Sequence, residues 1–295
     1  MAHLHLHLQS VVVRDAAFTN WAHTFACAPL AVFEPESVYH LELILALARR
    51  EGKVVRAVGV GHSPSDLACT SGFMVRTTKL NRLLEVRRSN RAIFDPVWPT
   101  RLCQINVEKR FIVAEAGITL DALHDELAKH DLAMMNVGSI SEQTLGGIIT
   151  TATHGTGINY GVISTHVMAL SLLLADGTHV SCSRQERPDL FMASICGLGS
   201  TGLILSVTLQ VEPAFRLRET QQTLAFRDCI RNVNTLVMAS QHVRMWWYPA
   251  ADTVRLYSAD RTTEVSTRSV RLLETSLIAR PLDLSAEAIS GELAA

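Results

Sequence analysis

A strand that runs straight into glycine restricts what can follow it. Residues 53–58, Lys-Val-Val-Arg-Ala-Val, are mostly small and β-branched, the composition of a short buried strand. They lead directly into Gly59-Val60-Gly61-His62-Ser63-Pro64-Ser65-Asp66. Glycines at a strand end let other groups approach the backbone closely, and consecutive amides in such a loop make a concavity suited to phosphate. His62 adds an imidazole, and Ser63 and Ser65 add hydroxyls. Taken alone, the run reads equally well as a strand-ending loop with one exposed histidine. A second small-residue run, Gly146-Gly147-Ile148-Ile149-Thr150-Thr151-Ala152-Thr153-His154-Gly155-Thr156-Gly157, strengthens the ligand reading. Two backbone-exposing loops, each with a histidine, suggest one long ligand held from both sides.

The totals narrow the class. At 295 residues the chain suits about two domains, and with 48% hydrophobic and 19% charged residues it can bury a sizeable core. Net charge is −1 and no Lys/Arg run stands out, which argues against nucleic acid as the main partner. Cys27, Cys69, Cys103, Cys182, Cys196 and Cys229 form no C-x-x-C pair, so free thiols explain them better than a disulfide framework or zinc. His3, His5 and His7 would share one face of a strand, but a frayed terminus is the better reading than a metal site. No apolar run has the length of a membrane-spanning helix, and the start lacks the pattern of a secretory signal.

Periodicity orders the rest. A helix is predicted from Ser37 to Gly52, with Ser37 as cap and Gly52 as stop. A strand is predicted over 72–77, a turn leading into another over 80–86, and a strand and turn over 111–117, with 89–100 as a loop or insertion. Thr119 caps a helix over 120–130, a small helix begins over 142–149 among the hydroxyls of Ser139 and Ser141, and Asp176-Gly177 turns a hairpin. A helix over 188–195 and a strand over 203–211 follow, then a second region with a strand over 215–224, one helix over 227–237, and strands over 243–249 and 253–258. Trp246-Trp247-Tyr248 could floor a sugar site, but core packing of the second sheet is the preferred reading. Gly197-Leu198-Gly199-Ser200-Thr201-Gly202 fits the dinucleotide pattern G-x-G-x-x-G, yet it follows a helix and precedes a strand. The nicotinamide reading needs the reverse order. A tight helix-to-strand turn, whose backbone could still face a cofactor, accounts for it better.

These motifs resemble the PCMH-type FAD-binding domain of the vanillyl-alcohol-oxidase-type flavoproteins, and more narrowly the D-arabinono-1,4-lactone and L-gulono-1,4-lactone oxidases. The resemblance rests on Val58 to Asp66, on Asn136-Val137-Gly138-Ser139-Ile140-Ser141-Glu142-Gln143-Thr144-Leu145-Gly146-Gly147, on Thr151 to Gly157, on Gly197-Leu198-Gly199 with Gly202, and on Met245-Trp246-Trp247-Tyr248-Pro249 with Ala259-Asp260-Arg261-Thr262. It covers roughly residues 18–262. It implies an α+β fold: a two-subdomain FAD-binding domain over 18–213, then an incomplete α+β substrate domain over 214–295.

It further implies FAD, joined covalently through His62, with binding carried by Gly59, Gly61, Ser63, Ser65, Asp66, Gly138, Ser139, Ser141, Thr144, Gly147, Thr151, His154, Gly155 and Gly202. For His154, a ring that satisfies local backbone groups is an equal alternative. The implied substrates are a sugar lactone and O₂, with an ascorbate-type product and H₂O₂, and the implied location is a mitochondrial or other intracellular membrane, reached by peripheral association. No catalytic base and no metal ligand is nominated. The family's His-Trp-x-Lys motif is absent, and residues 263–295 do not read as the family's continuation. The expectation is therefore a C-terminally truncated chain, with a flavin-binding remnant without turnover as the alternative function.

Overall fold

The computed structural model describes residues 7–13, 16–89 and 109–264. The chain divides into Met1–Thr262 and Thr263–Ala295, and the elements named here belong to the first of these units. The expected loop at 89–100 and the segment after 264 lie almost entirely outside the described residues.

The first lobe comprises β1 (Val12–Val13), a hairpin of β2 (Phe18–Thr19) and β3 (Ala26–Cys27), β4 (Ala31–Phe33), α1 (Val38–Glu51), β5 (Val55–Val58) and β6 (Phe73–Arg76). Its sheet runs β1-β4-β6-β5, with β6 parallel to both β4 and β5. The α1 boundaries follow from its ends. Ser37 Oγ accepts the His40 amide, and Gly52, at φ 61, takes the left-handed turn that closes the helix. Leu41, Ile44, Leu45 and Ala48 recur on one face and bury against Phe33, Phe73 and Val75 of the sheet.

The second lobe holds β7 (Leu83–Ser89), β8 (Lys109–Glu115), α2 (Leu120–Ala128), β9 (Leu132–Ala133), α3 (Leu145–Thr150), β10 (Val167–Leu173), β11 (His179–Ser183), α4 (Pro188–Ser194) and β12 (Leu203–Pro213). The antiparallel sheet runs β11-β10-β12-β8-β7, with β9 added beside the end of β12. Along β12 buried and half-buried residues alternate, the period of a strand covered on one face. Ile112, Leu123, Leu145, Ile148, Phe191 and Val207 join α2, α3 and α4 to that sheet in one core. Thr119 caps α2 through the Ala122 amide, and the Asp176-Gly177 hairpin forms as predicted. The small helix begins at Leu145 after Thr144, not among the hydroxyls of Ser139 and Ser141. The Ser141 and Gln143 carbonyls instead accept the first amides of α2, and residues 141–143 form a turn and bend ahead of Thr144.

A third region contains β13 (Arg216–Ala225), α5 (Phe226–Arg231), α6 (Val233–Val237), β14 (His242–Tyr248) and β15 (Thr253–Thr262), with the sheet ordered β13-β15-β14. The single helix expected over 227–237 is broken at Asn232. There the side chain donates to the Asp228 carbonyl and competes with the helical ladder. The core-packing reading of Trp246, Trp247 and Tyr248 is also overturned: they are 41%, 54% and 45% exposed. The Trp247 ring stacks on Phe226, and Arg244 lies over the Trp246 ring.

Candidate functional site

An open cleft runs along the ends of β5 and α3. One wall is the 59–63 loop, the other is the segment from Gln143 to Thr151, and Leu198, Gly199 and Gly202 line it from the turn before β12. Two glycine-bearing stretches some 85 residues apart in the chain thus face one space. They also touch, for a Cβ on Gly59 would lie 2.1 Å from Thr144 Oγ1. Arg56 is the one lining residue, among those described, with a full side-chain charge, and its Nη1 donates to the Leu198 carbonyl at 3.5 Å.

His62 lines the cleft and its Nδ1 is buried without a hydrogen-bond partner. Burial holds its pKa below the ordinary histidine value, while the Glu142 carboxylate pulls the other way. The imidazole is accordingly neutral near pH 7, with a lone pair free to act as a nucleophile. A buried nitrogen without a partner is costly in a finished site.

The β2–β3 hairpin positions this loop. Buried Asn20 donates from Nδ2 to Thr24 Oγ1 (2.9 Å) and to the Ser63 carbonyl (3.0 Å), while its Oδ1 accepts the Thr24 and Phe25 amides. The Trp21 amide donates to the Gly61 carbonyl at 2.9 Å, and the Trp21 ring stacks on His62 with centroids 5.4 Å apart. Gly61, at φ 75, packs against the Phe18 ring, and a Cβ there would come within 3.1 Å of it. Asn20 and Trp21 were missed by the sequence reading. The signal was an Asn-Trp pair in the turn of a short, otherwise unremarked hairpin.

Of the fifteen residues the sequence nominates, Gly59, Gly61, His62, Ser63, Thr144, Gly147, Thr151 and Gly202 meet at the cleft. The others lie apart from it. Ser65 caps a 3-10 turn that begins at Asp66. Ser139 is exposed and Ser141 serves α2 through its carbonyl, while Gly138 packs against Thr153. His154 is exposed with Nδ1 on the Gly155 carbonyl at 2.9 Å, which agrees with the local-bonding alternative, and Gly155 fits tightly under Asn136. Both line a separate, shallow concavity. The 197–202 turn is the helix-to-strand connection that its context suggested. Its Cys196 and Leu198 amides donate to the Ile149 and Thr150 carbonyls at the end of α3, at 2.9 and 3.1 Å. The start of α3 is less open to a ligand than a free helix end, because the Leu145 and Gly146 amides already donate to the Ile118 and Ala116 carbonyls.

Known proteins supply the matching case. Residues 29–183, just over half of the chain, match the FAD binding domain family. The chain belongs to that family. Residues 207–290 match the D-arabinono-1,4-lactone oxidase model, so the match runs past the point where the sequence reading saw the resemblance end. The chain is 40% identical to L-gulonolactone oxidase of Mus musculus over 251 residues, covering 85% of this chain and 53% of that protein. It is 35% identical to D-arabinono-1,4-lactone oxidase of Yarrowia lipolytica over 243 residues, covering 82% and 43%. It thus spans about half the length of these relatives. A crystal structure of cholesterol oxidase from Brevibacterium sterolicum shares the fold at a TM-score of 0.70 and 19% identity, over 85% of this chain and 48% of that one. The α+β architecture is that of an FAD-binding domain, and the residues present fit such a cofactor: an unpartnered imidazole nitrogen, a glycine-walled cleft and one cation.

Proposed function

We propose that this chain holds FAD in the cleft between the 59–63 loop and the 143–151 segment, tethered through His62, in the service of aldono-1,4-lactone oxidation by O₂. The observation that carries the reading is His62 Nδ1, buried at the cleft wall with no partner of its own. The loop backbone at Gly59 and Gly61 and the Arg56 guanidinium would take the diphosphate. Thr144, Gly147, Thr151 and Gly202 would border the cofactor from the opposite wall. The hydroxyls of Thr150 and Thr151 donate to the Gly146 and Gly147 carbonyls, so they serve to shape α3 rather than to bind phosphate. Bound FAD would supply the redox chemistry for oxidation of the lactone's hydroxyl-bearing carbon, with O₂ as the final electron acceptor. The chain's share is to orient, to exclude water and to keep His62 neutral.

The division into an FAD-binding part over 18–213 and a substrate part over 214–295 belongs to the same proposal, as does a sugar lactone that leaves as an ascorbate-type product. Association with a mitochondrial or other intracellular membrane would be peripheral. No helix among the described residues is long and apolar enough to cross a membrane. A second reading, flavin binding without turnover, is favoured by one observation: the described cleft lining includes no carboxylate to act as general base. Oxygen consumption by the purified yellow protein with D-arabinono-1,4-lactone and L-gulono-1,4-lactone separates the two. Lactone-dependent uptake supports oxidation, and its absence in a protein of full flavin content leaves the binding function alone.

A further inference from the structure

Trp21 is 48% exposed, so the apolar core does not account for its place. It is not among the residues lining the cleft, so a ligand there does not account for it either. Its contacts run instead to the glycine-histidine loop, with the amide on the Gly61 carbonyl at 2.9 Å and the indole stacked on the imidazole of His62 at an interplanar angle of 29°. The hairpin that carries it is itself anchored by four hydrogen bonds of Asn20, one of them to the Ser63 carbonyl just beyond His62. The residues on either side of His62 are thus tied to the same two residues of the hairpin, and the ring is covered by one of them.

We infer that Trp21 is a positioning residue for covalent flavin attachment, its indole holding the His62 imidazole in one orientation and shielding it from water. The inference rests on the proposal that His62 carries the flavin. Attachment breaks an imidazole N–H bond and a C–H bond of the flavin 8-methyl group and forms one N–C bond. The two electrons pass through the flavin to O₂, and the two hydrogens leave as H₂O₂. The imidazole must present a neutral nitrogen at one angle, and a free ring samples several rotamers about its side-chain torsions. The stack removes that freedom. It also contributes to the burial that keeps the ring neutral, against the opposing pull of Glu142.

The test compares Trp21→Phe and Trp21→Ala with the unaltered full chain. Total flavin is read from the visible spectrum, and covalent flavin from the fraction that stays with acid-precipitated protein. The expected result is total flavin retained in both variants, with covalent attachment on addition of FAD slowed on the order of tenfold or more in Trp21→Ala and close to normal in Trp21→Phe. The Trp21→Ala attachment rate should also fall off at a higher pH than the unaltered chain's, because an exposed His62 titrates closer to 6.5. Equal covalent rates and pH profiles in Trp21→Ala and the unaltered chain would overturn the inference. So would a parallel loss of total and covalent flavin in both variants, which marks a merely structural role. If Trp21→Ala does not fold, Trp21→Leu, which keeps the apolar cover and loses the stack, decides in the same way. An unaltered chain that binds no flavin contradicts the proposed function itself, and flavin bound there without any covalent fraction contradicts the tether.

Discussion

Gly59 and Thr144 stand where the two glycine-bearing stretches meet, so closely that a Cβ on Gly59 would lie 2.1 Å from the Thr144 hydroxyl oxygen. Thr144 is buried, and its Cγ2 and Cβ would also lie close to that Cβ, at 3.0 and 3.1 Å, so rotating the side chain does not clear the contact. Gly59→Ala is therefore expected to cost about 1–3 kcal/mol of stability and to lower flavin content sharply. Gly59→Ala with Thr144→Ala, which removes the clashing oxygen, should recover much of both. Thermal melts and the flavin-to-protein absorbance ratio check this, and full flavin in the single variant would contradict it.

His62→Ala should separate binding from tethering. The variant is expected to bind FAD reversibly, since the glycine cleft and Arg56 remain, and to release all of it on acid precipitation. Loss of reversible binding as well would assign His62 a wider role in the cleft.

The attachment rate should carry the titration of His62. Burial lowers its pKa, so the neutral imidazole is fully present above about 6.5 and is lost as pH falls through the lower folded-state value. By the same sign, burial of neutral His62 contributes stability that is complete above about 6.5 and fades on acidification. Attachment kinetics from pH 5 to pH 8 should plateau at the alkaline end. A rate that rises toward pH 5 would contradict a neutral nucleophile.

The parts legible in the sequence were those whose cause is local. Ser37 and Gly52 bound α1, Asp176-Gly177 turned the hairpin, and Gly59 and Gly61 ended a strand, each within a few residues of its effect. What the sequence hid lies far apart along the chain. The Asn20 amide reaches the Ser63 carbonyl across 43 residues, and no spacing rule pairs them. The resemblance likewise drew His154, Gly155, Ser139 and Ser141 into the site because they share a segment with Thr144 and Gly147. Helix α3 carries only part of that segment to the cleft. The aromatic run at Trp246 read as core because large rings usually bury their area, but the described third region leaves it exposed.

Asn20→Ala removes four hydrogen bonds at a residue only 2% exposed and leaves the Thr24 and Phe25 amides without their acceptor. The expected loss is about 2–4 kcal/mol, read from denaturant unfolding. Its second effect should be lower covalent flavin at temperatures where the fold persists, because the hairpin then holds the 59–63 loop less firmly.

Arg56→Gln removes the one charged side chain among the described residues of the cleft lining. In the His62→Ala background its affinity for FAD should fall roughly tenfold, the scale of one charge-assisted hydrogen bond, while riboflavin affinity stays unchanged. Flavin fluorescence quenching measures both. An equal loss for riboflavin would place Arg56 away from the diphosphate.

The central claim is that His62 ties a flavin into this cleft, and acid precipitation of the purified chain tests it most directly. A yellow pellet, with the flavin absorbing on the His62-containing peptide after proteolysis, is the predicted result. A colourless pellet under a yellow supernatant, from protein that carried its full flavin before acid, would contradict the claim.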